Sequence, residues 1–278
     1  MGNLAADTAV ERIEEHRYRA TLNKDWEIWG PMGGYVASYA LRAIAEETAF
    51  PRPASFSCHY LSVAAFETID IVVTPLRESR VAGSYRAEIV QGDRRILEAT
   101  VWAIAEGVEG LEHDDAVAPD VAGPEGLKNI GEYFADEPDD TGPPFPFWNN
   151  FECRPFNFRK EWPPPEPLPP VWQQWIRFLE GDYSDPWVDA CRALVLVDVQ
   201  SWPAAHQPHA YKREPIYAPS LDLYVALHRA TASDWLLSDG HAPVGEGGLL
   251  GWTGRLWDAD RRLIASGGGQ LLCRPMKT

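Results

Sequence analysis

A five-residue run from the first half of the chain returns near its end. Asp93-Arg94-Arg95-Ile96-Leu97 reappears as Asp260-Arg261-Arg262-Leu263-Ile264, 167 residues later. At that same offset Ser55–Leu61 falls on Asp222–His228, and Ile69 falls on Leu236. Leu41-Arg42-Ala43-Ile44 resembles Cys191-Arg192-Ala193-Leu194 at an offset of 150, and a 17-residue longer helix-to-strand connection around Pro203 to Pro215 absorbs the difference. Two hairpin registers sharing one offset read as an internal duplication. The 278 residues then hold two copies of one plan, not a single unrepeated domain.

The plan itself follows from periodicity. Thr8 to Leu22 reads as a first strand. A helix follows from Gly30-Pro31-Met32-Gly33-Gly34 to about Ala49, because Val36, Tyr39, Ala40, Ala43 and Ile44 form one apolar stripe at helical spacing. Pro31 suits a first helical turn, where its missing N–H costs nothing. Four strands come next: Pro53–Val63, Thr68–Leu76, Ser84–Val90 and Ile96–Ala105. Their alternating apolar residues are divided by turn residues such as Gln91-Gly92-Asp93. The second copy has a helix within Asp185–Trp202. Its strands are expected at Ser220–Arg229, Asp234–Leu237, Leu249–Trp257 and Leu263–Arg274. Helices segregated on antiparallel sheets make an α+β layout. The expected division is 1–112 for the first unit, 113–145 for an acidic linker, and 146–278 for the second unit.

Charge narrows the function. The net charge is −16, which argues against nucleic acid. Twelve acidic residues and one basic residue, Lys128, lie between Glu106 and Asp140, and a charge run of this kind reads as a solvated linker or surface loop. Pro143 to Pro170 reads as a rigid connector with Trp148, Phe151, Phe156, Phe158, Trp162, Trp172 and Trp175 interleaved for burial. No apolar run is long enough to span a bilayer, and the first residues lack a signal-peptide pattern. The expectation is a cytoplasmic protein without membrane insertion. Cys58, Cys153, Cys191 and Cys273 are far apart, with no C-x-x-C pair and no metal site indicated.

Two features carry chemistry. The Gly33-Gly34 pair at a helix start can present bare N–H donors to an anion or a carbonyl, or can simply ease packing. Asp222 on a strand of the second copy is either a general base or a charged group paired with Arg229. Its first-copy counterpart, Ser55, cannot act as a base, so one active site per chain is expected. His228 reads as structural. His241 begins a fragment of a dehydratase-like pattern whose completing proline is replaced by Leu250.

Trp29-Gly30-Pro31-Met32-Gly33-Gly34-Tyr35 resembles the helix start of double-hot-dog acyl-CoA thioesterases, the acyl-CoA thioesterase II group and its thioesterase-like relatives. Ser220-Leu221-Asp222-Leu223 with His228-Arg229 is similar to that group's second-half strand. Trp235-Leu236-Leu237 and the closing Leu263-Ile264-Ala265-Ser266 through Gln270 to Arg274 are similar as well. The resemblance implies a double hot-dog, two antiparallel sheets each wrapped around a central helix. It implies hydrolysis of acyl-CoA with no metal or organic cofactor, by a water that an Asp and a Gln activate. Carried over, these are Asp222 and Gln270, with Gly33, Gly34 and Tyr35 as the oxyanion and substrate-binding residues. Counted from Ala265-Ser266, the family's Gln falls on Gly269, one residue early, and a bulge at Gly267-Gly268-Gly269 would bring Gln270 to that face. The matching region after Trp235-Leu236-Leu237 holds His241-Ala242-Pro243-Val244, with no Ser or Thr; Ser238 is nearby but not at the family's position, so the family's hydroxyl role is not carried over.

CoA is anionic and needs a basic rim. Arg77, Arg80, Arg154, Arg159, Lys160, Lys212 and Arg213 are the candidates. Two other functions fit the same plan: a non-catalytic module that binds acyl-CoA or an acyl carrier, and a hot-dog hydratase or dehydratase. A homo-oligomer of such pseudo-dimers is also compatible with it.

Overall fold

The computed structural model describes residues 1–133, 145–156, 158, 159 and 161–276. The first half contains α1 (Leu4–Asp7), β1 (Glu11–Glu14), β2 (Arg17–Thr21), α2 (Gly33–Ala45), β3 (Arg52–Tyr60), β4 (Thr68–Glu78), β5 (Ala82–Gln91) and β6 (Arg94–Ile104). The second contains β7 (Phe151–Pro155), β8 (Val171–Phe178), α3 (Pro186–Val199), α4 (Ser201–His206), β9 (Ile216–Tyr217), β10 (Asp222–Leu227), β11 (Leu236–Glu246), β12 (Leu249–Trp257), β13 (Leu263–Leu272) and β14 (Arg274–Pro275).

Twelve of these strands form one sheet in the order β1-β2-β4-β5-β6-β3-β10-β13-β12-β11-β8-β7, while β9 and β14 pair separately. The two separate sheets expected from the sequence are therefore joined. The physical reason is the seam between β3 and β10, whose edges would otherwise carry unpaired backbone groups. Ser57 pairs with Tyr224 at the middle of this seam. Their numbers differ by 167, the offset of the repeated hairpin turns. The strand order reads the same outward from the seam in both directions, so the duplication in sequence is a pseudo-twofold axis in space.

The hairpin β1–β2 replaces the single strand expected over Thr8–Leu22, with His16 in its turn at φ 58. Its counterpart β7–β8 lies in the segment taken for a proline-rich connector. There Phe151 and Trp175 are buried, whereas Trp162 stays 50% exposed. β11 runs nine residues beyond the expected Leu237, through an irregular register between His241 and Val244.

Helix α2 packs on β4–β6, and α3 packs on β10, β12, β13 and β3. The two helices also pack on each other, so both are buried on nearly every side. Gly34 makes the helix contact close. A Cβ there would stand 2.5 Å from the Leu194 carbonyl oxygen and 2.7 Å from the Val195 Cα. On α3 the buried Arg192 donates to Asp189 and to the carbonyls of Thr231 and Ser233, and stacks on Tyr183.

The acidic segment is anchored, as far as the described residues run. Arg261 donates to the carbonyls of Pro119 and Val121, the Trp175 indole donates to Ala122, Arg154 donates to Pro124, and Arg229 pairs with Asp114. Ala118, Val121 and Leu127 cover a second apolar cluster of Trp175, Leu237 and Trp257 on the outer face of the sheet. The acidic side chains remain in water while the backbone works as a strap. All four cysteines are free thiols, three of them buried. Among the described residues no helix is long and apolar enough to cross a membrane.

Candidate active site

The N-terminus of α2 meets the C-terminal end of α3. Two consecutive glycines leave the first turn of α2 without side chains, and the chain fills that space with a carboxylate from the other half. Asp198 is 5% exposed. Its Oδ2 accepts the Gly34 N–H at 2.8 Å, and its Oδ1 accepts the Ser220 hydroxyl at 2.9 Å. Burial pushes the Asp198 pKa up to about 6, and the two donors hold it from rising further. A Cβ on Gly33 would come within 2.7 Å of Asp198 Oδ2 and 3.1 Å of the Tyr60 hydroxyl, so both polar atoms flank one bare α-carbon. The Tyr60 hydroxyl is buried beside the Cys58 thiol, with no hydrogen-bond partner among the described residues. Burial, followed by the charge on Asp198, raises its pKa well above the ordinary phenol value, which keeps it a proton donor. Cys58 borders the same space, and burial likewise raises its thiol.

The residues expected from sequence divide between this site and its surroundings. Gly33 and Gly34 stand at its centre. The Gly34 N–H, however, is taken by Asp198, and the Tyr35 N–H donates to the Met32 sulfur at 3.3 Å. The Tyr35 side chain turns away, stacking on Trp26 at 5.1 Å and bonding Tyr39. Asp222 lies at the start of β10, where its Oδ1 accepts the backbone N–H of Gln270 at 2.8 Å. The structure thus brings Asp222 and Gln270 together through the Gln270 main chain. The Gln270 side chain is exposed and lies over Gly251, with Nε2 3.3 Å from where a Cβ would be. Gly269, not Gln270, faces the Asp222 carboxylate, and a Cβ at 269 would fall 2.7 Å from its Oδ1. The three glycines let β13 approach its neighbours closely. Cβ atoms at 267, 268 and 269 would come within 2.0, 2.3 and 2.4 Å of backbone oxygens.

Asp198 and Ser220 were missed by sequence reasoning. An Asp near the end of an apolar helix reads as a helix terminus, and Ser220 reads as the first residue of the strand Ser220–Arg229. The one available signal was an acid in the otherwise apolar run Ala193-Leu194-Val195-Leu196-Val197-Asp198-Val199. Of the basic candidates, Arg154 is held by Glu152 and stacks on Trp235. Arg77, Arg80, Arg159, Lys212 and Arg213 are exposed, and Lys160 lies outside the described residues.

Residues 22–104 match the family described as acyl-CoA thioesterase N-terminal domain, and residues 124–270 match the acyl-CoA thioesterase C-terminal domain. The chain belongs to the acyl-CoA thioesterase family. It is an acyl-CoA thioesterase by descent, with thioester hydrolysis as its general chemistry. Among solved structures it is similar to an acyl-CoA thioesterase II from Mycobacterium marinum, at 21% identity over 99% of both chains with a TM-score of 0.79. A hot-dog protein of unknown function from Alicyclobacillus acidocaldarius is similar at 17% identity over 98% of this chain and 97% of that one, TM-score 0.78. A dehydratase domain from Pseudomonas fluorescens is similar at 9% identity over 99% and 100%, TM-score 0.53. At these identities the likeness establishes the hot-dog fold alone. No curated protein sequence matches this thioesterase.

Proposed function

We propose that the chain hydrolyses acyl-CoA thioesters to free acid and CoA at the junction of α2 and α3, with Asp198 as the base. The observation that carries this reading is the buried Asp198 carboxylate, bonded to the Gly34 N–H and the Ser220 hydroxyl, with a pKa of about 6. A base of that pKa is ionised at neutral pH and basic enough to take a proton from water. The thioester is already electrophilic, so no side-chain nucleophile is needed.

In this reading Asp198 Oδ2 removes a proton from a water as its oxygen attacks the thioester carbonyl carbon. The carbonyl oxygen becomes an oxyanion facing the start of α2. The Gly33 N–H, which has no partner among the described residues, and the Tyr60 hydroxyl are its donors. The helix dipole adds to the same field. Collapse of the tetrahedral intermediate breaks the C–S bond, and the proton on Asp198 passes to the departing CoA thiolate. Ser220 fixes the carboxylate plane, so it is a positioning residue. Asp222 and Gln270 are the alternative pair for water activation, and the same assay separates them from Asp198.

Each half of the joined sheet curls round its own helix in this reading, as a double hot-dog. The units are 1–112 and 146–278, joined by the strap. Only one pair of helix and carboxylate is competent. At the offset of 150 that aligns the two helices, Gly33 and Gly34 fall on Tyr183 and Ser184, before α3 begins, and Asp198 falls on Thr48, which is not a carboxylate. The test is thiol release from a panel of short, long, branched and aromatic acyl-CoAs, by the wild-type chain and by Asp198→Asn and Asp222→Asn. Loss of turnover in Asp198→Asn alone supports the reading; full turnover in that variant sinks it. A second reading, acyl-CoA binding without hydrolysis, draws on the Gln270 side chain, which lies on the outer face over Gly251. It predicts binding with no thiol release.

A further inference from the structure

Of the seven neutral second-half side chains whose buried polar atoms make no hydrogen bond among the described residues, five, other than Gln207 and Trp257, lie on or against the inner face of β8, β11 and β12. They are Trp172 (Nε1), Gln174 (Nε2), Gln200 (Oε1 and Nε2), Ser238 (Oγ) and Trp252 (Nε1). Gln174 and Gln200 are 1% and 0% exposed, and Ser238 is 0% exposed. Strand register puts four of them on one surface. Ser238 pairs with Gln174, Gly240 pairs with Trp172 on one side and Gly254 on the other, and Trp252 is two residues from Gly254 on the same face. Gln200, at the end of α3, is the fifth. Its side chain occupies the room that Gly240 and Gly254 leave open. A Cβ on Gly240 would stand 2.8 Å from Gln200 Oε1, and one on Gly254 would stand 3.0 Å from it.

Unmet polar groups are costly to bury, and Leu, Val or Phe at these positions would serve a purely structural interior better. Two adjacent glycines that admit a glutamine side chain between helix and sheet make the same point. The patch also has ways in and out. A cleft of about 220 Å3, open to solvent, lies between α4, β9 and the β11–β12 turn and is lined by Trp202, His206 and Leu250 among others. Leu250 and Trp252 share the inner face of β12, so the wall of the cleft continues into the patch. At the other end Trp252 pairs with Gly269, which faces the Asp222 carboxylate.

We propose that this interior is the acyl pocket of the thioesterase, and that it selects neutral, oxygen-bearing acyl groups, hydroxyacyl or oxoacyl, over plain hydrocarbon chains. The inference rests on the hydrolytic reading above. Donors slightly outnumber acceptors in the patch: two indole N–H groups, two carboxamide NH2 groups and a hydroxyl, against two carboxamide oxygens and the Ser238 lone pairs. Such a set recognises acceptor oxygens. None of the five is charged, so a carboxylate-terminated acyl group would be desolvated with no counter-charge from them.

The test compares kcat/KM for hexanoyl-CoA, its hydroxy derivatives at C3 and C5, and adipoyl-CoA, in the wild-type chain and in Gln174→Leu, Gln200→Leu and Ser238→Ala. Thioether analogues of the same acyl-CoAs are titrated calorimetrically in parallel. Expected are a preference of about tenfold or more for at least one hydroxyacyl ester over hexanoyl, adipoyl the poorest substrate, and a shift of about tenfold toward hexanoyl in each variant. Thermal midpoints should stay level or rise, because an unmet polar group has been removed. If Gln200→Leu fails to fold, Ser238→Ala, the loss of one oxygen atom, carries the comparison. Equal rates for hydroxyacyl and hexanoyl esters, or variants that slow both by one factor, would overturn the pocket while leaving hydrolysis intact. Selective binding of the hydroxy thioethers without any thiol release would uphold the pocket and sink the hydrolytic reading.

Discussion

Replacing Asp198 with Asn separates the stability and the chemistry of one carboxylate. The Asp198 pKa rises from 3.8 to about 6 on folding. Folded protein therefore binds this proton more tightly than unfolded chain does. The stabilising effect is full below pH about 4, fades as the pH climbs through about 6, and is gone by pH 8. Two pKa units correspond to about 3 kcal/mol, the cost of keeping the ionised group buried at neutral pH. Asn removes the charge at every pH. Its one oxygen cannot accept from both Gly34 N–H and Ser220 as two carboxylate oxygens do, which gives back about 1 kcal/mol. Asp198→Asn should thus be more stable than wild type at pH 8 by about 2 kcal/mol, or about 3–4 °C in Tm for a chain of this size. Near pH 4 it should be equal or slightly weaker. Thiol release should fall about 10²–10⁴-fold, and the wild-type kcat/KM should rise with pH and level off above about 6. Thermal melts at pH 4.5, 6 and 8 beside a thiol-release assay decide the matter. A variant that melts below wild type at pH 8, or that keeps more than a tenth of the activity, would refute the assignment of Asp198 as a strained, buried base.

Gly34→Ala drives a methyl group into the α3 backbone, 2.5 Å from the Leu194 carbonyl oxygen, and should cost about 1–3 kcal/mol or more in urea unfolding. Gly33→Ala meets Asp198 Oδ2 and Tyr60, and should lose more activity than stability in the same pair of measurements. Arg192→Leu leaves the buried Asp189 charge without its counter-ion, with only the Thr231 N–H still on Oδ2, and the carbonyls of Thr231 and Ser233 unmet. A loss of about 3–5 kcal/mol is expected, larger at pH 8 than at pH 5 because an unpaired Asp189 can protonate in acid. Arg261→Ala should free the strap, seen as faster amide exchange around residues 116–124 with little change in thiol release.

The duplication was legible because turns are local. Asp93-Arg94-Arg95 and Asp260-Arg261-Arg262 repeat a hairpin signal that needs no tertiary context, and the same offset pairs Ser57 with Tyr224 at the seam. The β7–β8 pair was hidden because the prolines around it dominate the composition, while Trp172-Gln173-Gln174-Trp175 lacks a clean apolar alternation. Its polar Gln174 faces inward. The Gly33-Gly34 helix start was visible as a place where backbone donors could be reached. The carboxylate that reaches it was not. Asp198 and Gly34 are 164 residues apart and meet only because two helices cross at a glycine. Asp222 drew attention as an acid in a recognisable strand, yet strand position alone does not say which acid faces the helix.

The seam that closes the sheet also sets a timetable. β3 leaves the ribosome long before β10, and the residues between Tyr60 and Asp222 take on the order of ten to thirty seconds to synthesise. Throughout that interval the first half carries an unpaired central edge and an α2 start whose glycines face no acid. An exposed strand edge of this kind invites pairing with another nascent chain. The chain is therefore most vulnerable to aggregation during its own synthesis, and a pause or truncation between the halves should be more damaging than one after β13.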